Sequence, residues 1–125
     1  MEVTPPTVPD EPILVVQWER TLAMILDRTA QFPKSERHTF AARVDGRALD
    51  VLEALVQARW ASRREKGALL ASADTHLAVL RVLVRVCHDR RLFARAAYES
   101  IVREMNEAGR MLGGWRRSLV AAPGS

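Results

Sequence analysis

The sequence predicts an all-α protein folded as an up-down-up-down antiparallel four-helix bundle. Apolar residues recur at three- and four-residue steps in four segments, and they almost nowhere alternate with the period of two that a strand requires. The connections between these segments are only a few residues long, which makes neighbouring helices antiparallel. With 125 residues, 48% of them hydrophobic and 27% charged, the chain has the size and balance of one soluble globular domain.

We expect three regions along the chain. Residues 1–12 hold four of the six prolines and few bulky apolar side chains, which predicts a flexible proline-rich arm. The four-helix bundle then occupies residues 13–119, and residues 120–125 form a short disordered tail.

The first two helices are separated by Pro33, which disfavours helical geometry at Phe32 before it. The first helix is predicted from about residue 13 to Thr29, and the second from about Lys34 to residue 61. Their apolar faces are Leu14, Trp18, Leu22, Ile25 and Leu26 in the first, and Phe40, Ala41, Val44, Ala48, Val51, Leu52, Leu55 and Val56 in the second.

The third helix is expected after a polar turn at residues 62–67 and ends near Asp89. Its apolar positions are Leu69, Leu70, Ala73, Leu77, Leu80, Leu83, Val84 and Cys87. The fourth begins near residue 94 and runs through Leu112. Gly113 and Gly114 then either close this helix in the left-handed conformation or lie where another backbone approaches closely, with Trp115 as an anchor just past the end.

The sequence contains no recognisable catalytic constellation. None of the three histidines has the glutamate three positions earlier that di-iron helical bundles use, and no glycine-rich phosphate-binding run is present. We therefore expect no enzyme activity, no cofactor and no metal site. Cys87, the only cysteine, is predicted to be a buried small hydrophobe.

The chain is also expected to be cytoplasmic, with no membrane partner. No uninterrupted apolar run approaches the roughly 18 to 20 residues that cross a bilayer. The acidic, proline-rich start lacks the basic and apolar parts of a signal peptide.

The excess of arginine is the strongest functional signal. Basic residues outnumber acidic ones by 19 to 15, and 17 of the 19 are arginine, giving a formal charge of +4. Because arginine stays charged and forks onto phosphate, nucleic acid or an acidic protein surface is the expected partner. The candidate binding residues are Arg43, Arg47, Arg59, Arg63, Arg64, Arg81, Arg85, His88, Arg110, Arg116 and Arg117.

The stripe formed by Arg81, Arg85 and His88 on the third helix has two interpretations. The two arginines lie mid-helix, and the only acidic residue four positions from either is Asp89. Phosphate contact and ordinary solvation both remain open for this stripe. For Arg59, Arg90 and Arg116, favourable interaction with a helix C-terminal dipole is a sufficient explanation.

Three stretches of the chain together resemble a known family. These are FPKSERHTFAARV at residues 32–44, ALDVLEALVQAR at 48–59 and GRMLGGW at 109–115. They resemble the accessory variability determinant (Avd) proteins of diversity-generating retroelements, within a wider four-helix-bundle family that includes proteins encoded in 23S ribosomal RNA intervening sequences. The resemblance covers residues 13–119.

The resemblance implies a homopentameric barrel of four-helix bundles with a basic surface. It further implies a non-enzymatic partner of the retroelement reverse transcriptase, which engages template-repeat RNA or DNA during mutagenic retrohoming. Within that picture the arginines face the polymerase or the nucleic acid. Residues expected at structural or subunit contacts are Phe32, Pro33, Gly109, Gly113, Gly114 and Trp115.

Two other functions stay open at this point. One is a bundle protein encoded in a 23S ribosomal RNA intervening sequence, and the other is a structural oligomeric adaptor that binds an acidic protein through the same arginines. Because few exposed aromatic residues are expected, nucleic-acid binding would be dominated by backbone contacts and weakly specific.

Overall fold

The computed structural model describes residues 12–121, and within this range all of the regular secondary structure is helical, with no strand. The α-helices are α1 (Ile13–Thr29), α2 (Ala42–Trp60), α3 (Arg63–Asp89) and α4 (Arg95–Ala121). Each packs against its neighbours in the sequence, and α4 closes the ring against α1. The predicted all-α four-helix bundle is confirmed.

The core lies along the bundle axis and is built from the predicted apolar faces. Its largest fully buried side chains are Trp18, Ile25, Val44, Val51, Leu55, Leu70, Leu77, Leu80, Val84, Ile101, Met105 and Leu112. Leu26 and Val56 were predicted on these faces but are 36% and 40% exposed, because each lies at the margin of its apolar stripe.

Two side chains of α1 hold it against both neighbours. The buried indole of Trp18 donates a 3.0 Å hydrogen bond from Nε1 to the carbonyl oxygen of Ala48 in α2. On the adjacent position, Gln17 Nε2 donates to the carbonyl oxygen of Glu104 in α4, also at 3.0 Å. These bonds fix the axial position of α1 in the bundle.

The α1–α2 connection is closed by an aromatic contact. Phe32 is buried and meets Phe93 of the α3–α4 connection edge to face, with ring centroids 5.0 Å apart. Pro33 is extended, with ψ near 150°, and ends the first helix as predicted. The chain then passes through a 3₁₀ turn (Lys34–Glu36) and a π-helical turn (Arg37–Ala41) before α2, in a region predicted as continuous helix.

The predicted polar turn at residues 62–67 is wrong except at Ser62, because α3 begins at Arg63. Ser62 is the N-cap, and its side-chain oxygen accepts a hydrogen bond from the backbone N–H of Glu65 at 3.3 Å. A serine followed three residues later by glutamate is the capping-box pattern, so this polar stretch starts a helix.

The predicted end of the fourth helix at Leu112 is also wrong. Gly113 and Gly114 lie inside α4, which continues to Ala121. Trp115 and Leu119 pack against the core beyond the glycines. Burial of these side chains offsets the roughly 1 kcal/mol by which each glycine disfavours a helix relative to alanine.

The predicted arm and tail fall almost wholly outside the described residues. Of residues 1–12 only Pro12 is described, as the N-cap residue of α1. Residues 120 and 121, placed in the tail, belong to α4, and residues 122–125 are not described.

Helix α3 is apolar on more than its core side. Its most apolar 18-residue window has a mean hydropathy of 1.4, with 28% of the window buried. By length and composition it is apolar enough to cross a membrane, as the core helix of a soluble protein also can be.

Helix α3 ends in a left-handed residue that is not glycine. The N–H of Leu92 bonds to the carbonyl oxygen of Cys87 at 2.8 Å, and that of Arg91 bonds to His88 at 2.9 Å. This is the Schellman pattern, in which the C′ position is usually glycine. Here Arg91 occupies it with φ of 64°, a conformation unfavourable for a residue with a Cβ atom.

Replacing Arg91 with glycine should stabilise the protein. Relief of the left-handed strain outweighs the added unfolded-state entropy, so we expect a gain of about 0.5–1 kcal/mol in the free energy of unfolding. The measurement is urea denaturation followed by circular dichroism, with Arg103→Gly, at an exposed position inside α4, as the control that should be destabilised. A loss of stability in Arg91→Gly would contradict this account of the α3 terminus.

Candidate nucleic-acid interface

Six of the predicted arginines gather toward one end of the bundle, where α2 ends, α3 begins and α4 ends. Lys66 lies in the same region. We call this group the basic end; it comprises Arg59, Arg63, Arg64, Lys66, Arg110, Arg116 and Arg117.

Two of these arginines tie α3 to α4. Arg63 donates from Nη2 to the carbonyl oxygen of Leu119, at 2.6 Å. Arg116 donates from Nη1 to Asp74 Oδ2 at 3.1 Å, forming a partly exposed ion pair. Each guanidinium group therefore uses one of its N–H donors to hold α3 against α4, and its remaining donors are available to a ligand.

The α2–α3 turn is held by Lys66. Its ammonium group donates to the carbonyl oxygens of Ala61, at 2.8 Å, and Arg59, at 3.3 Å. These carbonyls at the end of α2 lack intrahelical partners, and a cation there also interacts favourably with the helix dipole. The guanidinium of Arg59 lies 4.4 Å from the ring centroid of Trp60.

Arg64 and Arg117 are the basic-end residues most available to a ligand. Both are exposed, and among residues 12–121 neither side chain has a hydrogen-bond or ion-pair partner. Arg110 is exposed but paired with Glu107, and its hydrogen bond lowers the pKa of the Glu107 carboxyl.

The predicted stripe of Arg81, Arg85 and His88 is not one surface. Arg81 reaches across to α4, where its guanidinium donates to Asn106 Oδ1 at 2.5 Å and to the carbonyl oxygen of Met105 at 3.2 Å. His88 stacks on Tyr98 of α4, with ring centroids 3.9 Å apart. Arg85 alone of the three is exposed.

Gly109 makes the Arg81 contact possible. A Cβ atom at this position would lie 2.5 Å from Arg81 Nη2. The glycine of the GRMLGGW stretch therefore accommodates a crossing guanidinium group, whereas Gly113 and Gly114 face only the flexible end of Arg117.

Arg43 and Arg47 lie away from the basic end. Arg47 donates from Nη1 to His76 Nδ1 at 2.8 Å, which makes this ring nitrogen an acceptor and joins α2 to α3. Arg43 is exposed beside Phe40, near the opposite end of the bundle.

Trp60, which is 73% exposed at the last position of α2, was not among the predicted site residues. It follows Ala58, the last buried position of the helix, by two residues and so points away from the core stripe. That phase was the available signal. The prediction that few aromatic residues are exposed did not take this helical position of Trp60 into account.

The described residues offer little reactive chemistry. Cys87 is buried as predicted, and burial raises the pKa of its thiol to about 11, so the thiol stays protonated at neutral pH. Between residues 12 and 121 no group of three or more His, Cys, Asp or Glu side chains is arranged to hold a metal ion.

The glycines of α4 should respond differently to alanine. Gly114→Ala adds helix propensity in ordinary van der Waals contact and should stabilise the protein by about 0.5–1 kcal/mol. Gly109→Ala displaces Arg81 from its two acceptors, which cancels most of that gain. Denaturant unfolding of both variants, each repeated in an Arg81→Ala background, measures the difference.

The Arg81→Ala background is the control, because it removes the side chain that Gly109 accommodates. There the two alanine substitutions should become equivalent to within about 0.5 kcal/mol. If Gly109→Ala matched Gly114→Ala in the wild-type background, the crossing contact would have no energetic role.

The comparison with known families agrees with this architecture. The family model described as bAvd-like matches residues 13–119, which is nearly the whole bundle. No curated protein sequence matches the chain. The chain belongs to the bAvd-like family.

Proposed function

We propose that the protein is a non-enzymatic accessory factor of a diversity-generating retroelement, acting in the cytoplasm. In this role it binds the reverse transcriptase and the template RNA or DNA during mutagenic retrohoming. The observation that carries the proposal is the bAvd-like match over residues 13–119, because this family is one of accessory proteins. The basic end gives such a protein a surface suited to phosphates.

The charge distribution supports a nucleic-acid partner. All 19 lysines and arginines lie within residues 12–121, whereas three of the 15 acidic residues precede this range. The bundle is therefore more basic than the chain as a whole. Arg64 and Arg117, exposed and unpartnered among the described residues, provide donors that phosphate oxygens would satisfy.

Assembly as a homopentamer is part of the proposal. It is supported by apolar side chains exposed on α2 and α3, which pack against each other: Leu49 and Val56 on the first, Val82 on the second. Covering these side chains with neighbouring copies removes apolar surface from water. Five copies would also bring a formal charge of about +20 together in one particle, which strengthens phosphate binding.

The two other functions remain alternatives. A reverse-transcriptase gene and paired template and variable repeats beside the gene for this chain would support the retroelement role, and an insertion in 23S ribosomal RNA would support the intervening-sequence role. Competition with nucleic acid distinguishes the adaptor role from the retroelement role. A protein that binds only acidic protein surfaces would not have nucleic acid as a ligand.

The charge-reversal variant Arg64→Glu/Arg117→Glu tests the basic end. We expect its affinity for a structured RNA to fall by about tenfold or more in 0.1 M salt. The plot of log affinity against log salt should also become less steep, because fewer counterions are released. Fluorescence anisotropy over a salt series measures both effects.

The matched control is Arg20→Glu/Arg28→Glu on α1. These arginines are also exposed and unpartnered among the described residues, and the change in net charge is identical. Equal losses in the two double variants would show that net charge, not the basic end, governs binding. Absence of RNA and DNA binding by the wild type would overturn the nucleic-acid role.

The substitution Val82→Glu tests the proposed assembly. Wild type should have a mass of about 70 kDa by light scattering, five times the 14.0 kDa chain. A buried unpaired carboxylate at a subunit contact is costly, so Val82→Glu should yield smaller particles with unchanged helicity. Val120→Glu, at an 89% exposed position, is the control. A wild-type mass other than a pentamer's would contradict the assembly, and an unchanged mass in Val82→Glu would remove this face from it.

A further inference from the structure

The unequal lengths of the helices leave a cleft at the basic end. Helix α1 has 17 residues and begins at Ile13, whereas α4 has 27 and continues to Ala121. The first residues of α1 lie beside Met111, so the last ten residues of α4 extend past the start of α1. The cleft between them has a volume of about 580 Å³, which is enough for one nucleotide.

The walls of this cleft are aromatic and apolar. Trp60 comes from the end of α2, Met111 and Trp115 from α4, and Ile13 from α1. Trp60 and Ile13 are 73% and 74% exposed, so the cleft presents large apolar groups to solvent. A flat ring stacked on the indole of Trp60 would remove this surface from water.

Cations surround the apolar walls. Arg59, Lys66 and Arg110 all line the cleft, and Arg59 lies over the ring of Trp60. Lys66 is held in place by the carbonyls at the end of α2. The guanidinium group of Arg59 covers one face of the Trp60 ring, but Trp60 is still 73% exposed. Indole surface therefore remains on which a second planar group can stack.

We propose that this cleft binds an unpaired nucleotide of a single-stranded RNA, with the base stacked on Trp60 and the phosphate beside Lys66 and Arg110. Aromatic rings flanked by cations recognise splayed-out bases, whereas bases paired in a duplex cannot reach such a ring. This inference rests on the proposed function and adds a site that distinguishes single strands from duplexes.

The charge around the cleft argues against a two-fold contact between copies at this site, and a contact within a ring is tested below by the particle mass. Two such clefts meeting about a two-fold axis would bring the same cations face to face, which is unfavourable. A nucleotide supplies both a flat ring and negative charge. An acidic peptide with an aromatic side chain shares part of this chemistry and is separated by the experiment below.

The test compares Trp60→Ala and Trp60→Phe with the wild type, using the full chain and two RNA probes. One probe is a 12-nucleotide single strand carrying 2-aminopurine, and the other is a blunt duplex of the same length. Trp60→Ala should bind the single strand about tenfold more weakly, while its affinity for the duplex stays within about twofold of wild type. Trp60→Phe keeps a ring and should retain most of the single-strand affinity.

The 2-aminopurine signal reports stacking directly. Wild type should quench its fluorescence on binding, and Trp60→Ala should leave it largely unquenched at saturation. Light scattering and circular dichroism on each variant accompany the titrations, with the particle mass and helicity expected to match the wild type.

The outcomes separate this inference from the proposed function. Equal single-strand affinities and equal quenching in wild type and Trp60→Ala would overturn the cleft inference while RNA binding by the basic end stands. Parallel losses on both probes with a changed particle mass would assign Trp60 to a contact between copies and overturn the inference. Wild type that binds neither probe, but binds an acidic aromatic peptide, would overturn the cleft inference and, with it, the RNA-binding part of the proposed function.

Discussion

The buried indole of Trp18 sets the geometry on which the rest of the bundle depends. Its side chain is fully buried, and an indole N–H in the core requires an acceptor. The carbonyl oxygen of Ala48 supplies it at 3.0 Å, and the small side chain of Ala48 permits the close approach of α1 to α2. Since Gln17 bonds to Glu104 in the same turn, α1 is fixed against α2 and α4 together. The start of α1, and with it the open side of the cleft, follows from this register.

Apolar spacing predicted the helices because core contacts repeat with the helical period. It failed where a helix terminus depends on single hydrogen bonds or on distant packing. Ser62 and Glu65 form a capping pattern that a purely apolar reading treats as a turn. Gly113 and Gly114 have a strong local preference to end a helix, but the packing of Trp115 and Leu119 on the core overrides it.

Dependence on distant packing also explains why sequence predicted the positions of some arginines but not the roles of others. Those at the basic end could be grouped from sequence, because Arg59, Arg63 and Arg64 flank one short turn. The roles of Arg81 and His88 could not, because their partners lie in α4: Met105 and Asn106 for the first, Tyr98 for the second. A helical stripe identifies which side chains share a face, but it contains no information on what the neighbouring helix presents to that face.

The preference for arginine over lysine has a structural explanation in these contacts. Arg81 uses two nitrogens of one planar group to bond a side chain and a backbone carbonyl, which a lysine ammonium cannot reproduce in the same geometry. Arg59 and Arg90 lie over the rings of Trp60 and Phe40. Each of these arginines fills a packing role and keeps its full charge. The residues that hold the bundle together therefore also build its positive potential, and a phosphate ligand experiences that potential even where the donors are already engaged.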